Sequence, residues 1–171
     1  FVQGAAIGAM VAGIAVEDGR FAGGPFDWVA PFPILCGVGL VLGYSLLGAG
    51  WLVLKTTGNL RDWAYRLLPR LMWGVIAFVA AALLLTLIDN FRVVDRWLAQ
   101  PWLLGFPLLA SAAAWGLFRG VDGRRDWQPW LMASVLFVTA FAMLAGSFWP
   151  WILPYHLTFD EAAAPEASLS F

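Results

Sequence analysis

Residues 31–54, PFPILCGVGLVLGYSLLGAGWLVL, form an apolar stretch without a charged side chain. An α-helix rises about 1.5 Å per residue, so this stretch is long enough to cross the hydrocarbon core of a bilayer, which is roughly 30 Å thick. Pro31 and Pro33 fall in the first turn, where a helix tolerates proline because no intrahelical hydrogen bond is lost there. The stretch therefore predicts a membrane-spanning α-helix.

Four further apolar stretches lie on either side of this one. Residues 1–16 are short for a span, which a start upstream of Phe1 would explain, and the span over 101–118 is interrupted by Pro107. We therefore predict an all-α fold, a polytopic transmembrane helical bundle, in a single membrane domain over 1–171 that is a fragment of a longer protein. The five predicted spans are 1–16, 31–54, 67–88, 101–118 and 127–149.

The composition supports a membrane protein and excludes other classes. Apolar residues make up 61% of the chain and charged residues 12%, with a mean hydropathy of +0.78, whereas soluble domains carry about 25% charged residues. The same apolar content excludes a disordered chain. The net charge of −1 offers no basic surface to a nucleic acid, so no nucleic-acid partner is expected. Cys36 is the only cysteine, which excludes an intrachain disulfide and a cysteine-rich metal site.

The basic residues are distributed unevenly between the predicted loops. Seven of the ten Lys and Arg residues lie in 55–70 and 119–125. Because cytoplasmic loops are enriched in Lys and Arg, we predict that loops 55–66 and 119–126 are cytoplasmic. The external parts are then 17–30, 89–100 and the C-terminal segment 150–171. This last segment contains three prolines and can hold a short interfacial helix.

Small residues and tryptophans indicate how the spans sit in a membrane. Gly4 and Gly8, like Gly39 and Gly43, are four residues apart, a spacing that lets helices pack closely in lipid. Most of the eleven tryptophans lie near predicted span ends, where indoles prefer the headgroup level. We interpret them as interfacial anchors rather than as contacts to a quinone or a haem.

The predicted spans hold few side chains that could carry chemistry. No charged residue occurs in 31–54 or 71–88, which disfavours a proton-coupled transporter, because such proteins use intramembrane carboxylates or histidines. His156, the only histidine, lies in the external segment, so we assign no catalytic, cofactor-binding or metal-binding residue. Two alternatives stay open on these grounds. One is half of a membrane transporter or permease, for which the interruption at Pro107 is the one indication; the other is a structural assembly factor.

Three stretches are specific enough to indicate a family. They are FDW at 26–28 leading into GLVLGYSLLG at 39–48, then WLVLKTTGNL at 51–60, and finally SFWPWILP at 147–154 with the tail that follows it. In this order they resemble subunit II of the cytochrome bd quinol oxidases, and the tail is more similar to the cyanide-insensitive branch. The resemblance covers all 171 residues and corresponds to the second half of that subunit without its last span. The family-motif residues, to which we assign no role, are Tyr44, Trp51, Lys55, Thr56, Gly58, Trp149, Pro150, Pro154, Thr158 and Glu161.

The resemblance implies a role in a respiratory complex of the bacterial cell (inner) membrane. The family's complex oxidises quinol and reduces O2 to water, with two haems b and one haem d in subunit I. Subunit II of the family ligates no haem, supports subunit I, shapes hydrophobic access for O2 and in some members holds a structural quinone. The implied partners of this chain are subunit I, membrane lipids, and quinol and O2 through the complex. The chain is not expected to be catalytic by itself.

Overall fold

The computed structural model describes residues 1–13, 16–17, 20–24, 26, 28–88, 100–149, 151–153 and 157–158. Helices dominate this part of the chain, and the strands are only two or three residues long. In chain order the elements are α1 (Val2–Ala12), β1 (Val16–Glu17), β2 (Arg20–Phe21), α2 (Pro31–Lys55), α3 (Gly58–Ile88), a 3-10 turn (Pro101–Leu104), α4 (Gly105–Asp122), α5 (Gln128–Phe148), β3 (Trp151–Leu153) and β4 (Leu157–Thr158).

The predicted all-α transmembrane class is confirmed. Within the described residues, four helical segments are long and apolar enough to cross a membrane: Pro31–Lys55, Gly58–Leu85, Pro101–Asp122 and Gln128–Phe148. Helix α1 is apolar but has only 11 residues. The prediction that residues 1–16 form one helix is wrong at its end, because α1 stops at Ala12. Gly13 then adopts a φ of 102°, which an L-residue rarely adopts, and Val16 begins a strand.

Helix α3 begins earlier than the sequence indicates. The predicted loop over 55–66 is too long, because only Thr56 and Thr57 separate α2 from α3. Helix α3 begins at Gly58, which has a φ of 64°. The polar residues from 58 to 66 are compatible with helix, and hydropathy alone assigns them to a loop because it takes a membrane span to be apolar throughout. At 31 residues, α3 would be about 46 Å long at 1.5 Å per residue, which exceeds the roughly 30 Å hydrocarbon core.

Helices α4 and α5 correspond to the last two predicted spans, with small differences in their bounds. The predicted interruption of the span 101–118 at Pro107 is wrong, because α4 begins at Gly105 and Pro107 therefore lies in its first turn. Helix α4 also continues to Asp122, so the predicted loop 119–126 contains its last turn. Helix α5 agrees with the span 127–149 to within one residue at each end.

Two of the three segments that we predict to be external contain short antiparallel strand pairs where the structure describes them. Val16 pairs with Phe21 in the first, and Trp151 pairs with Thr158 in the second. The described residues of 150–171 are thus extended, so the interfacial helix expected in this segment is not found in them. Of the predicted loop 89–100, only Gln100 lies within the described residues.

Helix α2 is the centre of the bundle. It packs against α1, α3 and α5, while α4 packs mainly on α5. The buried core lies where α2, α3, α4 and α5 meet near one end. It comprises Leu46, Ala49, Val53, Ala64, Tyr65, Leu68, Met72, Leu117 and Ala133.

Glycines allow the close approach that the sequence predicts. A Cβ on Gly4 would lie 2.6 Å from the carbonyl oxygen of Cys36, and one on Gly8 would lie 2.7 Å from the Cα of Pro33. Real Cβ atoms do not come so close to backbone, so only glycine permits this spacing between α1 and α2. The small-residue spacing is therefore confirmed as a helix-packing motif.

Candidate functional site at the basic end of the bundle

A carboxylate joins two elements at the end of the bundle where α3 begins and α4 ends. Asp126, in the turn before α5, accepts a hydrogen bond from Arg61 Nη1 at 2.8 Å through Oδ2, and one from the Tyr65 hydroxyl at 2.7 Å through Oδ1. Arg61 and Asp126 are partly exposed, with 34% and 43% of their side chains accessible. The contact therefore joins the start of α3 to the α4–α5 turn, and both side chains stay partly exposed although Arg61 Nε is buried.

A second ion pair joins the same two elements. Arg124 Nη1 donates to Asp62 Oδ1 at 2.6 Å, and the Arg124 guanidinium carbon lies 4.8 Å from the centre of the Tyr65 ring. The hydrogen bond to Asp62 holds the pKa of Arg124 above its usual value. We call the five residues Arg61, Asp62, Tyr65, Arg124 and Asp126 the polar clamp.

The turn between α4 and α5 has the geometry that presents the clamp residues. Gly123 N donates to Arg119 O at 3.0 Å and Arg125 N donates to Gly120 O at 3.0 Å, which closes the end of α4. Arg124 has a φ of 48°, in the left-handed region that a turn of this type requires. The turn is thus determined locally, and the two ion pairs then attach it to α3.

Cations and indoles lie next to each other around the clamp. Lys55 Nζ lies 5.2 Å from the centre of the Trp51 ring, and Trp51 packs against Trp130 with 5.6 Å between ring centres. Arg119 is placed similarly on α4, 4.8 Å from the centre of the Trp115 ring. Such amphipathic pairs are typical of the level where lipid headgroups meet the hydrocarbon core.

Four of the ten family-motif residues lie at this end of the bundle, namely Trp51, Lys55, Thr56 and Gly58. Tyr44, Trp51 and Lys55 follow one another along α2, where Tyr44 packs against Phe137 at 5.1 Å between ring centres. Thr56 ends α2, with its Oγ1 donating to Leu52 O at 2.6 Å, and Gly58 begins α3. These contacts are structural, and no reaction chemistry follows from them.

The remaining family-motif residues are not near the clamp. Trp149 lies at the far end of α5 and lines a cleft of about 420 Å³ together with Gln100, Trp102, Ala145 and Gly146. Thr158 is in strand β4. Pro150, Pro154 and Glu161 lie outside the described residues.

Sequence reasoning predicted none of the clamp contacts, and it counted Arg61 and Arg124 only among the basic residues of the predicted cytoplasmic loops. The signal was present, because acidic and basic residues alternate in Arg61-Asp62 and in Arg124-Arg125-Asp126. Two loops with complementary charges on the same side of a membrane can pair across the bundle. Which arginine meets which carboxylate depends on helix rotation, and this does not follow from the spacing.

The described residues do not fit a haem site. In the described ranges, no group of three His, Cys, Asp or Glu side chains is placed to hold a metal. Met72 is only 2% exposed and is packed in the core, and Cys36 packs against Gly8 between α1 and α2. We therefore derive no step through a haem. His156 lies outside the described residues, so the expectation that the chain ligates no haem stays a prediction.

The family model described as cytochrome bd terminal oxidase subunit II matches residues 1–171. No curated protein matches the chain.

Proposed function

Since the chain belongs to the cytochrome bd terminal oxidase subunit II family, we propose that it is an accessory membrane subunit of a quinol oxidase. In this role it supports the haem-bearing subunit I and provides apolar surface through which O2 reaches that subunit. The observation that carries the proposal is the family match along all 171 residues. The complex as a whole would oxidise two quinols for each O2 that it reduces to two waters.

The surface of the helices supports an accessory role. Only 11% of the most apolar window of α3 is buried inside this chain, and 17% of those of α4 and α5. Large apolar side chains such as Leu84 and Val138 are more than half exposed. In a membrane these sides can face lipid or another membrane protein, so the chain has ample surface for a haem-bearing partner.

The cofactors belong, in this proposal, to the partner. Two haems b and one haem d would be held by subunit I, where they would supply the electron transfer to O2. A structural quinone in this subunit is a further part of the proposal. The chain's own contribution is to bind subunit I, to exclude water from the interface and to leave an apolar route for O2, in a bacterial inner membrane.

The alternative of a transporter half is not favoured. Transporters of this type place polar groups near the middle of the membrane. The α2 stretch from Pro31 to Leu54 carries no charged residue, and the interruption at Pro107 that suggested a broken helix is absent. The family match is to an oxidase subunit.

The proposal is tested on the full-length protein in its host. We would attach an affinity tag, purify in a mild detergent and record a reduced-minus-oxidised absorption spectrum, with an unrelated tagged membrane protein as the control. We expect haem signals, a larger co-purifying subunit and quinol-dependent O2 consumption. A pure preparation without haem and without a partner would overturn the proposal.

The O2 route is tested by tryptophan substitutions at exposed positions of α2 such as Val38, Val41 and Gly48. A larger side chain along the O2 route should raise the KM for O2 while the haem content of the complex stays constant. Leu60→Trp serves as the matched control, since Leu60 lies in the first turn of α3, beside the clamp. An unchanged KM at every tested position of α2 would argue against a route along this helix.

A further inference from the structure

Two arginines and two tryptophans form a stripe on α3. Trp63, Arg66, Arg70 and Trp73 are spaced by three, four and three residues, which places them on one side of the helix. All four are exposed, Trp63 by 49% and Trp73 by 63%. We call this side of α3 the Arg66–Arg70 face.

The face points away from the bundle. The buried residues of α3, which include Ala64, Leu68 and Met72, lie on the opposite side and pack into the core. At its edge Trp73 meets Phe118 of α4 at 5.9 Å between ring centres. The two arginine side chains are therefore exposed to whatever surrounds this chain.

Neither arginine forms an ion pair within the described part of the chain, although Arg66 interacts through its charge with Asp62, four residues earlier, which is hydrogen-bonded to Arg124. Neither Arg66 nor Arg70 is within 4.0 Å of a described carboxylate, and the two ion pairs found there use Arg61 and Arg124 instead. Positions four residues apart are neighbours on a helix surface, about 5–6 Å between Cβ atoms, and like charges at this spacing disfavour the helix. A phosphate between the two guanidinium groups would remove the repulsion and accept hydrogen bonds from both.

The surroundings of the arginines have the profile of a lipid site. Below them the same face continues with Ala77, Ala80 and Leu84, all exposed and all apolar. Ala77 and Ala80 are small side chains that leave this part of the face low, while the indoles of Trp63 and Trp73 are typical of the headgroup level. The face thus changes along the helix from cationic to apolar. This order is complementary to a phospholipid that has an anionic headgroup followed by apolar acyl chains.

We propose that the Arg66–Arg70 face binds an anionic phospholipid, with its phosphate between the two arginines and an acyl chain along Ala77 and Ala80. The continuous apolar surface favours a lipid over free phosphate, which would gain nothing from it. The inference depends on the membrane location alone and goes beyond the proposed oxidase role.

The test uses the full-length protein purified in its complex, delipidated in detergent and titrated with phosphatidylglycerol. Bound lipid is counted by native mass spectrometry, and phosphatidylcholine is the neutral comparison. Each basic residue near a lipid surface contributes about a factor of five in affinity, so Arg66→Gln with Arg70→Gln should weaken phosphatidylglycerol binding about 25-fold. Binding of phosphatidylcholine should not change.

Two further variants distinguish specific binding at the Arg66–Arg70 face from nonspecific electrostatic attraction of the lipid. Lys55→Gln with Arg125→Gln removes the same charge from the same end of the bundle but leaves the face intact, so it should bind phosphatidylglycerol like the wild type. Arg66→Lys with Arg70→Lys should retain most of the binding. Equal loss in the matched control would show a nonspecific charge effect and overturn the proposal.

The remaining outcomes also decide the question. If the glutamine variants lose the partner subunit while the number of bound lipids stays the same, the face is a protein interface and the proposal is wrong. If inorganic phosphate displaces bound phosphatidylglycerol as well as added phosphatidylglycerol does, the apolar part of the face contributes nothing to binding and the proposal is wrong. The haem spectrum of the same preparation tests the oxidase role separately.

Discussion

At the scale of single residues, Asp126 is the centre of the polar clamp. Its two oxygens accept hydrogen bonds from Arg61 and from Tyr65, which belong to one helix, while Asp126 itself belongs to the turn before α5. Half-exposed ion pairs contribute little alone, typically about 0.2–1 kcal/mol. The hydroxyl of Tyr65, a residue only 4% exposed, makes this contact more than a surface pair.

Asp126→Asn should destabilise the protein by about 1–2 kcal/mol, because it removes the charge that Arg61 contacts and leaves one hydrogen bond weaker. The measurement is thermal unfolding of the purified protein in detergent, followed by intrinsic fluorescence. Asp122→Asn is the matched control, since Asp122 is exposed in the last turn of α4 and forms no ion pair with another described residue. Equal melting temperatures for the two variants would contradict a stabilising clamp.

Tyr65→Phe should cost about 1 kcal/mol, because the ring can still pack under Arg124 while the hydrogen bond to Asp126 is lost. Tyr44→Phe is the control, since the Tyr44 ring is 52% exposed and packs against Phe137. Combining Tyr65→Phe with Asp126→Asn should cost less than the sum of the two single changes, since Tyr65→Phe removes the hydrogen bond that Asp126→Asn weakens. Full additivity would mean that the two residues act independently.

At the scale of helices, the clearest feature is the contact of α2 with α5. A Cβ on Gly50 would lie 2.9 Å from the Cα of Trp130, so α5 approaches the backbone of α2 directly. A Cβ on Gly48, two residues earlier, would meet nothing within 4 Å. Two glycines of similar appearance in the sequence therefore have different roles.

Gly50→Ala should destabilise the protein by about 1–3 kcal/mol, because the added methyl group forces the two helices apart. Gly48→Ala should leave stability unchanged or raise it slightly, since alanine has the higher helix propensity. Both are measured by thermal unfolding in detergent and by yield from the membrane. Loss of the assembled complex in Gly48→Ala, with the chain itself stable, would instead place a partner against that side of α2.

At the scale of the whole molecule, the basic end of the bundle is the basis for predicting its orientation in the membrane. The polar clamp and the Arg66–Arg70 face lie at this end, together with Lys55 and Arg119. Because Lys and Arg are retained on the cytoplasmic side, we expect this end to be cytoplasmic. The first external segment then contains Phe26, which is 73% exposed.

Cysteine labelling tests this orientation. In a chain carrying Cys36→Ser, a membrane-impermeant maleimide added to intact cells should label Phe26→Cys and not Gly123→Cys. After the membrane is opened, both should be labelled. The reverse pattern in intact cells would show that the basic end is external and would overturn the predicted sidedness.

The start of α3 shows where sequence reasoning reaches its limit. Residues 58–66 include Arg, Asp, Asn and Tyr, so a hydropathy criterion places the start of the span at Leu67. Each of these residues is nevertheless compatible with helix. Helix propensity and burial are different properties. A helix longer than the hydrocarbon core can be polar where it leaves the lipid, and this polar part is where the clamp forms.

The sequence by itself determined the class of the protein and the four long spans, because an apolar stretch that matches the thickness of the membrane core leaves few alternatives to a spanning helix. It also determined close helix packing at Gly4 and Gly8, since the four-residue spacing places both on one side of a helix. The tertiary structure alone decided which charges pair, which glycines meet backbone and which side of α3 stays open. The reason is that these features depend on the rotation of each helix about its axis and on the order of neighbours, which are set by packing between residues distant in the chain.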